Sequence, residues 1–172
     1  LIFVGLCLVA LVGLTAVKTR WRTTWGAATV ICGIMEHVEP AGVHSGDSAA
    51  AFPPFSLGDD LLTLMREATR RIAEALEVKG LINIQFAIHR GEIFLLEVNP
   101  RASRTVPFLE KATGVDWSGA AARIMAGRTI AELGIKDGTP RGVLDDTGRR
   151  HGRWFVKEVV LPFNRFENVD PV

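Results

Sequence analysis

Apolar and polar positions change their spacing several times along the chain, and each spacing predicts a different element. Residues 28–38 are almost continuously apolar, which is typical of a strand buried on both faces. Between residues 61 and 76 the apolar positions recur every three or four residues, which predicts a helix. Ser56 and Asp59 are expected to form its capping box, and Gly80 is expected to end it.

Residues 81–99 alternate between apolar and polar positions, which predicts a β-hairpin. A three-residue loop at positions 89–91, with Gly91 in the left-handed bulge position, keeps the apolar face unbroken. A two-residue turn would instead put the polar side chains of the two strands on opposite faces, so we predict the longer loop. Strand parity then places three oxygen-bearing side chains on one face, those of Gln85, Glu97 and Asn99.

Shorter elements are predicted in the second half of the chain. Pro107 suits the first turn of a helix that Gly114 ends, and residues 116–126 predict another short helix. Thr129 and Glu132 are expected to cap a final helical turn. After a polar, glycine-rich connection, residues 154–161 predict a closing strand. The pattern therefore favours an α+β fold.

The first 27 residues differ from the rest. Residues 1–17 carry no charge, and basic residues follow them at once. This run reaches the lower length limit of a membrane-spanning helix, with its basic flank on the cytoplasmic side. A signal peptide fits less well, because no basic region precedes the run and no Ala-x-Ala site closes it. Out-of-frame sequence, a fused foreign segment and a membrane anchor stay open as origins, and the first two are favoured. We expect residues 1–17 to form an isolated helix or an apolar segment that fits the fold poorly.

Composition excludes several functional classes. At 172 residues and 48% apolar content, the chain is long enough for one domain with a core. Its 20 basic and 19 acidic residues lack the excess of positive charge that marks nucleic-acid binders. Cys7 and Cys32 are too few for a disulfide framework or a zinc site, which fits a reducing, cytosolic setting. Cys32 is expected in the core rather than as a nucleophile.

The predicted hairpin face carries the candidate chemistry. Carboxylate and amide oxygens are ligands that hard divalent cations prefer, usually together with water and substrate phosphates. Arg101 and Arg104 follow the second strand, where guanidinium groups could bind phosphoryl oxygens. An internal ion pair between Glu97 and Arg101 is the alternative explanation, and the pattern alone leaves it open. The loop containing His44 and Ser45 could form an anion-binding nest, although an exposed structural loop is the simpler interpretation.

Four segments together resemble the large subunit of carbamoyl phosphate synthase. The E-x-N pattern is shared by ATP-grasp enzymes generally, whereas the pairing of HSGDS with EVNPRASRTVPF is far more specific. The segments are residues 34–48 (IMEHVEPAGVHSGDS), 83–87 (NIQFA), 97–108 (EVNPRASRTVPF) and 156–164 (VKEVVLPFN).

This resemblance covers about residues 28 to 172 and implies the C-terminal part of the second ATP-grasp domain. The implied fold is a partial ATP-grasp fold, with an antiparallel sheet and flanking helices. Residues 1–27 lie outside the resemblance, residues 28–135 belong to the ATP-grasp domain, and residues 136–172 form a connection and strand leading to the next domain. The family's glycine-rich phosphate loop and adenine hinge have no counterpart here, which implies that the chain is inactive alone.

The implied reaction is phosphorylation of carbamate by ATP, giving carbamoyl phosphate for arginine and pyrimidine biosynthesis. The resemblance also implies a glutaminase small subunit as partner, while the composition described above favours a cytoplasmic location and argues against nucleic acid. A membrane-anchored, non-catalytic remnant or binding module is the alternative function, with residues 1–17 as its anchor. The resemblance implies that Mg²⁺ or Mn²⁺ is held by Gln85, Glu97 and Asn99. It implies that ATP is contacted by Gly42, Val43, His44 and Ser45, together with Gln85 and Glu97. The catalytic residues that it implies around the transferred phosphoryl group are Arg101 and Arg104.

Overall fold

A six-stranded sheet is the centre of the described fold, and every pairing between its neighbouring strands is antiparallel. The structure is a computed structural model that describes residues 4–18, 23–41, 43, 48–139 and 154–159. The strands are β1 (Val4–Lys18), β2 (Thr23–Pro40), β3 (Ala50–Phe52), β4 (Gly80–His89), β5 (Glu92–Asn99) and β6 (Phe155–Lys157). The helices are α1 (Asp59–Ala75), α2 (Val106–Thr113), α3 (Trp117–Met125) and α4 (Ile130–Leu133). The strand order is β5-β4-β1-β2-β3-β6.

The prediction of an isolated, poorly fitting segment at residues 1–17 is wrong for the residues that the structure describes. β1 lies between β2 and β4 and is hydrogen-bonded along both edges; Leu8, for example, lies opposite Ile34 on one side and Ile84 on the other. An uncharged apolar run suits a central strand covered on both faces as well as it suits an apolar helix. The boundary expected after residue 27 falls within β2.

No helix in the described ranges combines the length and the apolar character that crossing a bilayer requires.

Two apolar clusters hold the helices on opposite faces of the sheet. On one face, Met65 of α1 packs among strand residues that include Ile84 and Phe86. On the other face, Leu109 of α2 and Trp117 of α3 belong to a cluster with residues of β2 and β3. The fold therefore has three layers, with α1 on one side of the sheet and α2 to α4 on the other.

The boundaries of the helices test the capping predictions. The predicted capping box of Ser56 and Asp59 is wrong, because α1 starts at Asp59 with Gly58 as its N-cap and no side-chain cap bond. The Ser56 hydroxyl instead donates to the carboxylate of Glu36, which also accepts from the N–H groups of Phe55 (2.8 Å) and Ser56 (2.9 Å). Glu36 is only 1% exposed, and a buried carboxylate needs such partners.

The later helices follow the sequence prediction closely. α2 ends at Gly114, which is left-handed with φ 80°, and the predicted capping box of Thr129 and Glu132 is present at α4. The closing strand β6 is shorter than predicted, and residues 160 and 161 of that prediction lie outside the described residues.

A segment after α4 closes the exposed edge of β2. β3 pairs with β2 only at Glu36 and His37, so it does not reach Ile31. There, the Ile31 N–H donates to the Asp137 carboxylate and the Gly138 N–H donates to the Ile31 carbonyl, each at 2.8 Å. Neighbouring Cys32 is fully buried, as predicted, and its burial, followed by the nearby Asp137 carboxylate, raises the pKa of the thiol well above its usual value.

Candidate functional site

The turn between β4 and β5 has two residues, so the predicted three-residue loop is wrong. His89 lies opposite Glu92, and Arg90 and Gly91 form the turn with positive φ angles of 52° and 80°. The positive φ predicted for Gly91 is confirmed. With such a turn, a regular ladder would have placed Glu97 on the same face as Ile84.

A β-bulge in β5 restores the predicted face. Phe86 lies opposite Leu95, but the next pair is Gln85 with Glu97, so Leu96 has no opposite residue. The additional residue reverses the alternation of the following side chains relative to a regular ladder. The prediction that Gln85, Glu97 and Asn99 share a face is therefore confirmed, although the geometry that produces it differs from the one predicted.

Four polar side chains form two cross-strand pairs on this face. Gln85 lies opposite Glu97, and its Nε2 atom donates to Glu97 Oε2 at 3.0 Å. Asn83, which is 4% exposed, lies opposite Asn99. Asn83 was missing from the predicted site, although its position two residues before Gln85 places it on the same face of the strand. Its Nδ2 atom donates to Thr105 Oγ1 at 3.4 Å, which connects the strand to the loop before α2.

The two predicted arginines lie in this loop. The Arg101 guanidinium folds back along the chain, where Nη2 donates to Asn99 Oδ1 at 3.3 Å and Nη1 donates to the Ala102 carbonyl at 3.1 Å. Within the described part of the chain, no ion pair joins Arg101 to Glu97, so the alternative of an internal ion pair is not found. Arg104 is exposed and makes no hydrogen bond or ion pair with another described residue.

These side chains line one open cavity of about 500 Å³. Lys157 of β6 also lines it, and its Nζ atom donates to the Ser48 carbonyl at 3.0 Å. Lys157 was not among the predicted site residues, although a lysine within the apolar segment of the closing strand was a visible signal. The cavity is lined by Asn83, Gln85, Glu97, Asn99, Arg101, Ala102, Ser103, Arg104, Thr105 and Lys157.

The predicted ATP-contacting loop is described only in part. Gly42, His44 and Ser45 lie outside the described residues, and Val43 is exposed. At the end of this loop, Ser48 is buried and its hydroxyl donates to Glu39 Oε2 at 2.5 Å. This hydrogen bond is the main cause that lowers the pKa of Glu39 below its usual value. The role of the loop in ATP binding stays a prediction.

The oxygen ligands on this face suit a divalent cation that binds together with phosphate. Glu97 supplies one exposed carboxylate, and Gln85 and Asn99 carry amide oxygens on the same face. Across the described ranges, no group of three His, Cys, Asp or Glu residues could hold a metal by itself. Mg²⁺ is commonly bound through one or two carboxylates while water and substrate phosphates complete its coordination. A cation here would therefore depend on phosphate oxygens.

Comparison with known proteins gives three informative similarities. Residues 25–133 match the family described as carbamoyl-phosphate synthase L chain, ATP binding domain. The chain is 49% identical over 146 residues to the carbamoyl phosphate synthase large chain of Halobacterium salinarum, and 49% identical over 148 residues to that of Vibrio cholerae. These alignments cover 85% and 86% of this chain, which spans 13% of the length of each relative.

A solved structure is similar in fold at much lower sequence identity. The biotin carboxylase domain of a single-chain bacterial carboxylase superposes with a TM-score of 0.62 at 16% identity. The superposition covers 80% of this chain and 29% of that protein chain. At this identity, the likeness is informative about the fold alone.

Proposed function

Because the chain belongs to the carbamoyl-phosphate synthase L chain ATP-binding domain family, we propose that its cavity binds ATP phosphates for phosphoryl transfer to carbamate. Its fold is the predicted partial ATP-grasp fold, an α+β arrangement of an antiparallel sheet with flanking helices. The family assignment supports use of ATP by a ligase. Carbamate as the acceptor is the more specific part of the proposal, and it rests on the HSGDS and EVNPRASRTVPF segments.

The observation that carries this proposal is the grouping of an oxygen-rich strand face with two arginines around one cavity of about 500 Å³. Glu97 and Asn99, with Gln85, would hold Mg²⁺ or Mn²⁺, which neutralises charge on the phosphate oxygens when bound. Arg104 is exposed at the cavity, where its guanidinium can donate to the phosphoryl group as negative charge develops. These side chains act by positioning and by charge stabilisation, which are the main contributions of a protein to phosphoryl transfer.

The wider setting is part of the same proposal. Carbamoyl phosphate made at this site would enter arginine and pyrimidine biosynthesis, in the cytoplasm and with ammonia supplied by a glutaminase small subunit. Residues 42–45 would contact ATP, as the resemblance implies. Of the residues that follow them, Ser48 accepts a hydrogen bond at its carbonyl from cavity-lining Lys157. Adenine and much of the triphosphate would be bound by other parts of the complete ATP-grasp domain.

A chimeric enzyme tests this function directly. Residues 28–172 replace the matching segment of the Vibrio cholerae large chain, and carbamoyl phosphate formation from carbamate and ATP is measured. We expect activity in the chimera and a loss of about 100-fold or more with Glu97→Ala, because a centre of charge stabilisation is removed. The 172-residue chain alone should form no carbamoyl phosphate, since positioning can account for about 7–11 kcal/mol of a barrier.

Glu92→Ala is the matched control, because Glu92 is an exposed glutamate on the same strand that does not line the cavity. This variant should keep the activity of the chimera. Equal activity of the Glu97→Ala and Glu92→Ala chimeras would contradict the proposed role of the strand face. An inactive but folded chimera would contradict the assignment of carbamate as the acceptor.

A further inference from the structure

The Asn99 amide oxygen has two competing uses in this site. In the structure, Oδ1 accepts a hydrogen bond from Arg101 Nη2 at 3.3 Å. In the proposed function, the same side chain would bind the divalent cation. We propose that Arg101 couples metal binding to phosphate binding, because phosphate draws its guanidinium away from Asn99 and so makes the amide oxygen accessible to the metal. This inference rests on the proposed function and adds a regulatory step to it.

The position of Arg101 suits such an exchange. Its backbone N–H donates to the Asn99 carbonyl at 2.8 Å, so the Cα atom stays close to the strand end while the side chain can move. The guanidinium is exposed and makes one bond to the Asn99 side chain and one to the Ala102 carbonyl. Hydrogen bonds between exposed groups stabilise weakly, and a phosphate offers stronger, bidentate, charge-assisted bonds. Phosphate should therefore outcompete both acceptors.

The two cations cannot share the amide oxygen favourably. A guanidinium group has only donors, and its positive charge disfavours a second cation at the same acceptor. When phosphate binds, Arg101 moves to an anionic partner, and the local positive charge at Asn99 falls. Metal affinity then rises, and by thermodynamic reciprocity the bound metal raises phosphate affinity by the same factor. The site would thus take up metal and phosphate together rather than either one alone.

A Mn²⁺ titration of the full 172-residue chain tests this coupling without any activity measurement. Bound Mn²⁺ is followed by the loss of the electron paramagnetic resonance signal of the free ion, with and without inorganic phosphate. Wild type should bind Mn²⁺ weakly, and phosphate should raise its affinity. Arg101→Ala should bind Mn²⁺ alone about fivefold more tightly, the factor for one exposed charge-assisted hydrogen bond, and should respond little to phosphate.

Two further variants separate this mechanism from a simple effect of charge. Arg104→Ala removes a positive charge from the same cavity without touching Asn99, and it should raise Mn²⁺ affinity less. In an Asn99→Ala background, Arg101→Ala should give no gain in Mn²⁺ affinity, because the amide oxygen that Arg101→Ala would release is absent. Equal gains for Arg101→Ala in both backgrounds, or for Arg101→Ala and Arg104→Ala, would overturn the coupling.

The metal site itself is tested in the same experiment. Glu97→Ala should abolish Mn²⁺ binding, whereas Glu92→Ala should leave it unchanged. If neither wild type nor Arg101→Ala shows Glu97-dependent Mn²⁺ binding, both the coupling and the proposed metal site are overturned. If binding depends on Glu97 but not on Arg101, only the coupling fails. Thermal unfolding confirms that each variant is folded, which is expected because the Glu97, Arg101 and Arg104 side chains are exposed.

Discussion

His37 is a buried titratable side chain on β2, with only 8% of its surface exposed. Its burial is the main cause that lowers the pKa of the imidazole below the usual 6.5; the Lys157 cation also lowers it, and the Glu39 carboxylate opposes the shift. The folded chain therefore holds a proton at His37 less readily than the unfolded chain does. Lys157 thus affects both the cavity that it lines and the ionisation of a core residue.

This environment predicts how stability depends on pH. As the pH falls below about 6.5, the unfolded chain binds a proton at His37 before the folded chain does, so the free energy of unfolding should decrease. The decrease should level off below the folded-state pKa, where both states are protonated. Urea denaturation between pH 8 and pH 5 should show this slope in wild type and a shallower slope in His37→Gln. An unchanged slope in His37→Gln would contradict the assignment.

At the scale of elements, the β4–β5 turn is held by backbone conformation. Gly91 has φ of 80°, and a Cβ atom added there would meet no other atom within 4 Å. Substitution at this position therefore tests the cost of a left-handed conformation without a steric clash. The turn matters for the site because the register of β5 starts from it.

We expect Gly91→Ala to lower the free energy of unfolding by about 1–2 kcal/mol, the cost of placing an L-residue in left-handed space. Gly91→Asn should cost less, because asparagine tolerates this conformation. Guanidinium denaturation of both variants measures the difference. Equal losses for alanine and asparagine would show that backbone conformation is not the cause.

Much of this element structure could be predicted from the sequence because its signals are local. The helix ends at Gly114 and Thr129 depend on residues within one turn, and both predictions are confirmed. The bulge at Leu96 could not be located, because Leu96 belongs to a run of apolar residues in which alternation gives no register. Ser56 failed as a cap because its partner, Glu36, is distant in sequence. Pairing on both edges of β1 likewise depends on long-range contacts that apolar composition does not encode.

At the scale of the whole molecule, the segment after α4 connects layers that are distant in sequence. Asp137 Oδ1 accepts from Ile31 N–H on β2, and Asp137 Oδ2 lies 3.5 Å from Arg70 Nη2 on α1. A single carboxylate thus joins an edge of the sheet to the helix on one face. The two contacts should contribute unequally to the free energy of unfolding. Only the first satisfies a strand N–H group, whereas the second joins half-exposed charges.

We expect Asp137→Ala to lower the free energy of unfolding by about 1–3 kcal/mol, because the Ile31 N–H loses its charged acceptor. Arg70→Ala should cost less than about 1 kcal/mol, since it removes only the exposed ion pair. Asp137→Asn, which retains an acceptor oxygen, should lie between them. Thermal or urea denaturation ranks the three variants, and a loss in Arg70→Ala as large as in Asp137→Ala would contradict this assignment.

The bulge at Leu96 has a consequence for how chain length can change in this hairpin. Inserting one residue into the turn reverses the alternation of β5, and so does removing the bulge; the two changes together cancel. A homologue with a turn one residue longer is therefore expected to lack the bulge if its carboxylate is to remain beside the amide of the neighbouring strand. Insertions and deletions between positions 89 and 97 should therefore be tolerated in compensating pairs. An alignment of homologues with a single gap in this range would assign the position of Glu97 to the wrong face of the sheet.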